Sequence, residues 1–105
     1  MNYEQAKIRA DILKAMAHPI RVLLVEALSK GERCVNELTE LADVDQSTIS
    51  RHLAQLKKVG IVSERKQGVK VIHSLSCPCM LRAIDCSVEV LKTVTKRQRT
   101  VLRGH

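Results

Sequence analysis

Apolar residues recur at helical spacing through most of the chain and change once to a strand-like pattern. From Tyr3 to Met16, the residues Ile8, Ile12, Leu13 and Met16 mark one face of a first helix. Ala17-His18-Pro19 interrupts it, because the residue before a proline is pushed out of the helical region. Pro19 suits the first position of a second helix, where its missing N–H is no loss. Ile20, Leu23, Leu24, Ala27 and Leu28 then form a stripe wide enough to face a core, closed by Lys30 and Gly31. A third, short helix fits Cys34 to Ala42, with Val35, Leu38 and Leu41 on its apolar side. Asp43-Val44-Asp45 reads as a turn, with Asp45 as the cap of a fourth helix running through Val59.

That fourth helix has a narrow seam of Ile49, Leu53 and Leu56, while Gln46, Ser47, Thr48, Ser50, Arg51, His52, Gln55, Lys57 and Lys58 are polar or basic. After Gly60 the period changes. Ile61–Arg65 and Val69–Leu75 are strand-prone and separated by Lys66, Gln67 and Gly68, a hairpin with a basic tip. The last element starts at Cys77-Pro78-Cys79, places Leu81, Ile84, Val88, Leu91 and Val94 on one face, and fades into Lys96, Arg97, Arg99 and Arg103. The expected fold is mainly α with a β-hairpin wing, in one domain over residues 1–105, because two independent cores need roughly 100 residues each.

Charge narrows the function. Eighteen Lys and Arg against eleven Asp and Glu leave a net +7, which favours a polyanionic partner. Tyr3 is the only aromatic residue, so stacking of single-stranded bases lacks its side chains and double-stranded DNA is the fitting polyanion. No apolar run approaches the roughly 18 to 20 residues that span a bilayer, and the amino-terminal stretch lacks the apolar core of a signal peptide; the expectation is a cytoplasmic protein without membrane contact.

The third and fourth helices, joined by a short turn, form a helix-turn-helix whose second helix has a thin apolar side inward and hydrogen-bonding groups outward. Arg51 and Gln55 lie one turn apart and suit guanine and adenine edges; Lys57 and Lys58 suit phosphates. Arg65, Lys66, Gln67 and Lys70 add a basic wing beside it. A solvated face on an ordinary helical bundle is the plain alternative, and the neighbouring hairpin argues for a winged helix instead. An enzyme is not expected, because the thiols lack the βαβ framework of a small oxidoreductase.

The runs KAMAHPIRVLLVEALSKGERCVNELTEL and DQSTISRHLAQLKKVGIVSERKQGVKVIHSL resemble the ArsR/SmtB family of winged-helix repressors, over about Ala10 to Leu75. The most specific pieces are Ala17-His18-Pro19-Ile20-Arg21, Ser47 to Leu53, and Leu56 to Val62. The resemblance implies a winged helix-turn-helix that dimerises through its first and last helices. It also implies release from operator DNA by a metal ion, a metalloid or a sulfur oxidant. Two recognition helices about 34 Å apart then read both halves of a palindrome.

Four cysteines, Cys34, Cys77, Cys79 and Cys86, are the candidate sensing groups. Family members that sense arsenite, cadmium or lead hold a site in a segment resembling Glu32 to Leu38; this chain keeps Cys34 there but has Asn36 where a second cysteine would fall. Zinc-type sensors place Asp and His along the last helix, and no His lies between His73 and His105. If Pro78 opens the last helix, Cys77 is its cap and Cys79 lies in its first turn, among unpaired N–H groups. Cys86 falls about 10 Å further along the axis. Trivalent arsenic or antimony favours three thiolates, here Cys77 and Cys79 with Cys86 or Cys34; Cd(II), Pb(II) and Hg(II) share the preference for soft ligands. The other reading is a disulfide or polysulfide link between Cys34 and a later cysteine, as the family's persulfide sensors use.

Overall fold

Helices begin where the sequence supplies a cap. The side chains of Asn2 and Gln5 exchange hydrogen bonds with each other's backbone N–H, both at 2.9 Å, and start α1 (Tyr3–Met16). His18 Nδ1 accepts from the Ile20 N–H at 3.1 Å and Pro19 opens α2 (Pro19–Ser29). Asp45 Oδ1 accepts from the Thr48 N–H at 2.8 Å and starts α4 (Gln46–Lys58). In this computed structural model, which describes residues 1–94 and Arg103, the other elements are β1 (Arg33–Cys34), α3 (Val35–Ala42), β2 (Val62–Gln67), β3 (Lys70–Leu75) and α5 (Met80–Lys92). The architecture is a winged helix-turn-helix, mainly α with a small antiparallel sheet.

The core sits where α2 packs against α3, α4, α5 and β3. Leu24, Val25, Leu38, Ile49 and Leu56 are fully buried there, with Leu53, Ile61 and Val62 close to it. Leu38 carries the inward side of α3, whereas Leu41, expected beside it, is exposed. Asp43 ends α3 at φ 52°, a left-handed turn that Asp tolerates better than most residues and that aims the chain into α4.

Three differences from the sequence expectation affect the site. Arg33 and Cys34 form a short strand, pairing with His73 and Ile72, so the sheet has three strands in the order β1-β3-β2. A two-residue strand leaves no alternation to read. Second, Lys66 and Gln67 belong to β2 and the turn is Gly68-Val69, with Gln67 opposite Lys70. Gly68 has φ 66° at the first central position, where a two-residue hairpin of type II′ needs glycine. Third, α5 starts at Met80, two residues later than Pro78 would allow. Ser76 N–H is still bound to Ile61 O at 2.9 Å, so the chain stays tied to the loop after α4 before it turns into the helix. The basic tail residues Lys96, Arg97 and Arg99 lie outside the described residues, and Arg103 is exposed.

Leu56 is fully buried where the inner face of α4 meets this core. Leu56→Ala is expected to cost about 2–5 kcal/mol, read as a lower midpoint in urea unfolding. A loss below about 1 kcal/mol would mean that α4 is not anchored through this seam.

Candidate nucleic-acid interface and thiol sites

The α4 seam leaves Gln46, Ser47, Ser50, Arg51, Gln55, Lys57 and Lys58 exposed, with Thr48 half-buried. Asp45 fixes the first turn: its carboxylate accepts from Thr48 N–H and from Ser47 Oγ at 3.1 Å, and these bonds, with Thr48's first, hold it below the usual carboxylate range. Ser47 is therefore aimed by its cap before any ligand arrives. Gln46, at the helix start, stands beside a groove of about 600 Å³ that Cys34, Val69 and Lys70 also line, between α3 and the wing.

Several of the basic groups are already engaged. Lys57 pairs with Glu64 of β2, joining the recognition helix to the wing. Arg65 pairs with Glu32 and also reaches Gln67 Oε1 at 3.3 Å. The Arg65 hydrogen bond lowers the Glu32 pKa, and the Lys57 hydrogen bond lowers that of Glu64. Among the described residues Arg51, Lys58, Lys66 and Lys70 form no ion pair. A polyanion meets these four without first breaking an internal pair. The arrangement suits a duplex, with a helix for the major groove and a wing beside it.

His52 is the correction to the expected interface. It is only 8% exposed and turns inward, where its Nδ1 accepts from Arg21 Nε at 3.0 Å. Arg21 also donates from Nη1 to the Ala15 carbonyl at 3.1 Å, and the His18 and His52 rings lie 4.3 Å apart. Arg21 was missed as a site residue. The available signal was a lone cation in the otherwise apolar first turns of α2. His73 is buried beneath the wing, its Nε2 has no partner among the described residues, and burial holds its pKa down despite the opposing effect of Glu64.

The four thiols are free and spread over two regions. Cys34 is half-buried at the β1–α3 junction, and its N–H donates to Glu37 Oε1 at 3.1 Å. Cys77 is half-buried with Sγ 3.9 Å from the Gly60 carbonyl, at the end of the recognition helix. Cys79, not Cys77, takes the cap position of α5 and is exposed, as is Cys86 on the helix itself. Short bonds from Met80 N–H to Cys77 O and from Arg82 N–H to Cys79 O, both 3.0 Å, tighten this entry. Among the described residues no three His, Cys, Asp or Glu side chains gather in a way that could hold a metal ion. One protomer thus presents the Cys77/Cys79 loop without a third thiol beside it.

Lys58→Ala is expected to weaken binding to any duplex and to reduce the slope of log affinity against log salt by about 0.9. Arg51→Ala is expected to cost about 1–3 kcal/mol of discrimination between a selected duplex and its scramble. An equal loss on both duplexes would place Arg51 on phosphates instead.

Comparison with known proteins agrees with this geometry. The family described as bacterial regulatory protein, arsR family, matches residues 18–64. The nodulation protein NolR of Rhizobium meliloti is 34% identical over 88 residues, covering 84% of this chain and 72% of NolR. The crystal structure of NolR from Sinorhizobium fredii superposes with a TM-score of 0.76 at 32% identity, covering 84% of this chain and 88% of that one. The transcriptional repressor BigR from Xylella fastidiosa gives a TM-score of 0.70 at 27% identity over 91% of this chain and 100% of its own. The matched family is one of bacterial regulatory proteins and BigR is a transcriptional repressor, not an enzyme. With its exposed recognition helix, its wing and this degree of likeness, the chain belongs to the ArsR/SmtB family of DNA-binding transcriptional repressors.

Proposed function

We propose that this repressor acts as a homodimer on double-stranded operator DNA in the cytoplasm and is released by a thiophilic signal received at the Cys77-Pro78-Cys79 loop. The observation that carries the reading is the attachment of that loop to the end of α4. Cys77 Sγ faces Gly60 O, and Ser76 N–H binds Ile61 O. A group bound to Cys77 Sγ comes up against the Gly60 carbonyl that follows the recognition helix, and so can shift the end of that helix.

Trivalent arsenic, or antimony, is the inducer that the soft thiols favour; Cd(II), Pb(II) or Hg(II) engages the same pair. Cys77 and Cys79 supply two thiolates. A third has to come from Cys86, from Cys34 after rearrangement, or from the second protomer. A redox signal is the second reading, favoured because sulfur–sulfur chemistry needs two thiols and not three. Two cysteines, Cys34 and a later one, lose two electrons and two protons as they join. A low-molecular-weight persulfide takes these up, becoming a thiol and hydrogen sulfide.

The dimer rests on the exposed apolar groups of the first and last helices. Ile8 and Leu13 of α1 and Val88 and Val90 of α5 face outward, and no residue of α5 is fully buried. A cleft of about 240 Å³ lined by Leu13, Met16, Val22, Met80 and Ile84 lies between these helices and is ready to take apolar side chains of a second copy.

Operator release is measured by fluorescence anisotropy with fully reduced protein, titrated separately with arsenite, Cd(II), Hg(II) and a persulfide donor. Release by arsenite that disappears in Cys77→Ser or Cys79→Ser is the expected result for the metalloid reading. Release only by the persulfide donor, lost in Cys34→Ser, moves the protein to the redox reading; no release by any of them overturns thiol control. In parallel, Val88→Glu is expected to shift the protein from dimer to monomer in sedimentation and to weaken binding to a palindromic duplex by at least about tenfold.

A further inference from the structure

Three elements meet at one corner: the end of α1, the start of α2 and the middle of α4. Arg21 bridges all three, donating from Nε to His52 Nδ1 at 3.0 Å and from Nη1 to the Ala15 carbonyl at 3.1 Å. Beside it, His18 Nδ1 accepts from the Ile20 N–H at 3.1 Å and so holds the α2 start. The two imidazoles stack at 4.3 Å with their planes tilted by 42°. His52 Nδ1 faces a guanidinium N–H and accepts from it, so in this bond the His52 ring is neutral and carries its hydrogen on Nε2.

We propose that Arg21, His18 and His52 are positioning residues that set the recognition helix against the α1–α2 corner, and that operator binding requires the His52 imidazole to be uncharged. The proposal extends the DNA-binding function and concerns residues that touch no base. Protonating His52 at Nδ1 abolishes the bond it accepts from Arg21 and places a second cation against that guanidinium and the His18 ring. His52 lies next to Arg51 on a rigid helix, so whatever moves His52 moves Arg51 and Gln55.

The surroundings oppose a charge on His52. Burial first, then His18, Arg21 and Arg51, hold it below its ordinary value of 6.5. Of the elements packed against α4, only the corner and α2 bring a charged or titratable group to bear on this ring; α3 and β2 bring none among the described residues. For a base held low, the undocked form takes up the proton first. The docked corner is therefore fully stable above 6.5 and loses stability as the pH falls from there toward the lowered folded value. Global charge works the other way, since a more cationic protein binds any duplex more tightly.

The test uses the full chain and a duplex selected by it from a random library at neutral pH, with a scrambled duplex as reference, between about pH 8 and about pH 5. Wild type is expected to lose about tenfold in its preference for the selected duplex as the pH falls, while binding to the scramble holds or tightens. His52→Asn can place its Oδ1 where Nδ1 stands, still accepts from Arg21 and cannot titrate. It is expected to keep the neutral-pH preference and to flatten the acid loss. Arg21→Ala is expected to lose preference at neutral pH. An acid loss in His52→Asn equal to that of wild type, or a wild-type preference indifferent to pH, overturns the proposal. Should His52→Asn not fold, nitrogen NMR of the wild-type imidazole decides: a His52 protonated on Nδ1 at neutral pH refutes the corner. If no duplex is selected, the same NMR result still judges the corner separately from DNA binding.

Discussion

The packing of Ile49, Leu53 and Leu56 beneath α4 fixes where every other side chain of that helix points. Each is at most 3% exposed. Burying a Leu or Ile contributes about 1.5–3 kcal/mol, so three of them outweigh an exposed pair such as Lys57 with Glu64, worth about 0–1 kcal/mol. The helix is held by its apolar side, and its charged side is left for a ligand. Gln46, Ser50, Arg51 and Lys58 are presented outward because turning them inward would expose this seam.

The same helix shows what the sequence could and could not reveal. Its limits, its cap at Asp45 and its seam were legible, since apolar spacing and a capping residue are strong local signals. Polarity alone puts His52 on the DNA side. The helical angle places it with Ile49, Leu53 and Leu56, and angle decided over polarity because Arg21 supplied a partner from 31 residues away. Cys34 as part of a strand, and the late start of α5, were invisible for a related reason. Both depend on bonds to distant backbone, from β1 to β3 and from Ser76 to Ile61. Family resemblance points to the first and last helices as the dimer surface; Ile8, Leu13, Val88 and Val90 face outward there, while Met16 is buried and Ile12, Met80 and Ile84 pack against the core.

Arg21 is satisfied in an unusual way. Its two partners are a neutral imidazole and a backbone carbonyl, and no carboxylate bonds to it among the described residues. A carboxylate there would neutralise the guanidinium and tolerate a protonated histidine nearby. Without one, the positive charge persists beside His52. The hydrogen bond supplies direction, while burial first and then the neighbouring His18 and Arg21 favour the neutral His52 imidazole.

The recognition helix is thus gripped at two places, each linked to a helix that the dimer would use. Arg21 and His52 tie its middle to the end of α1, while Gly60 and Ile61 tie its carboxyl end to the loop that enters α5. A helix of 13 residues is about 20 Å long, and tilting it by about 10° moves one end by about 3 Å. Hydrogen bonds to base edges tolerate only a few tenths of an ångström around 2.7–3.2 Å. A change at either grip therefore suffices to misplace Arg51 and Gln55 without unfolding anything. Under the two proposals thiol chemistry would act at one grip and protonation at the other, giving the two signals separate points of entry to a single rigid element.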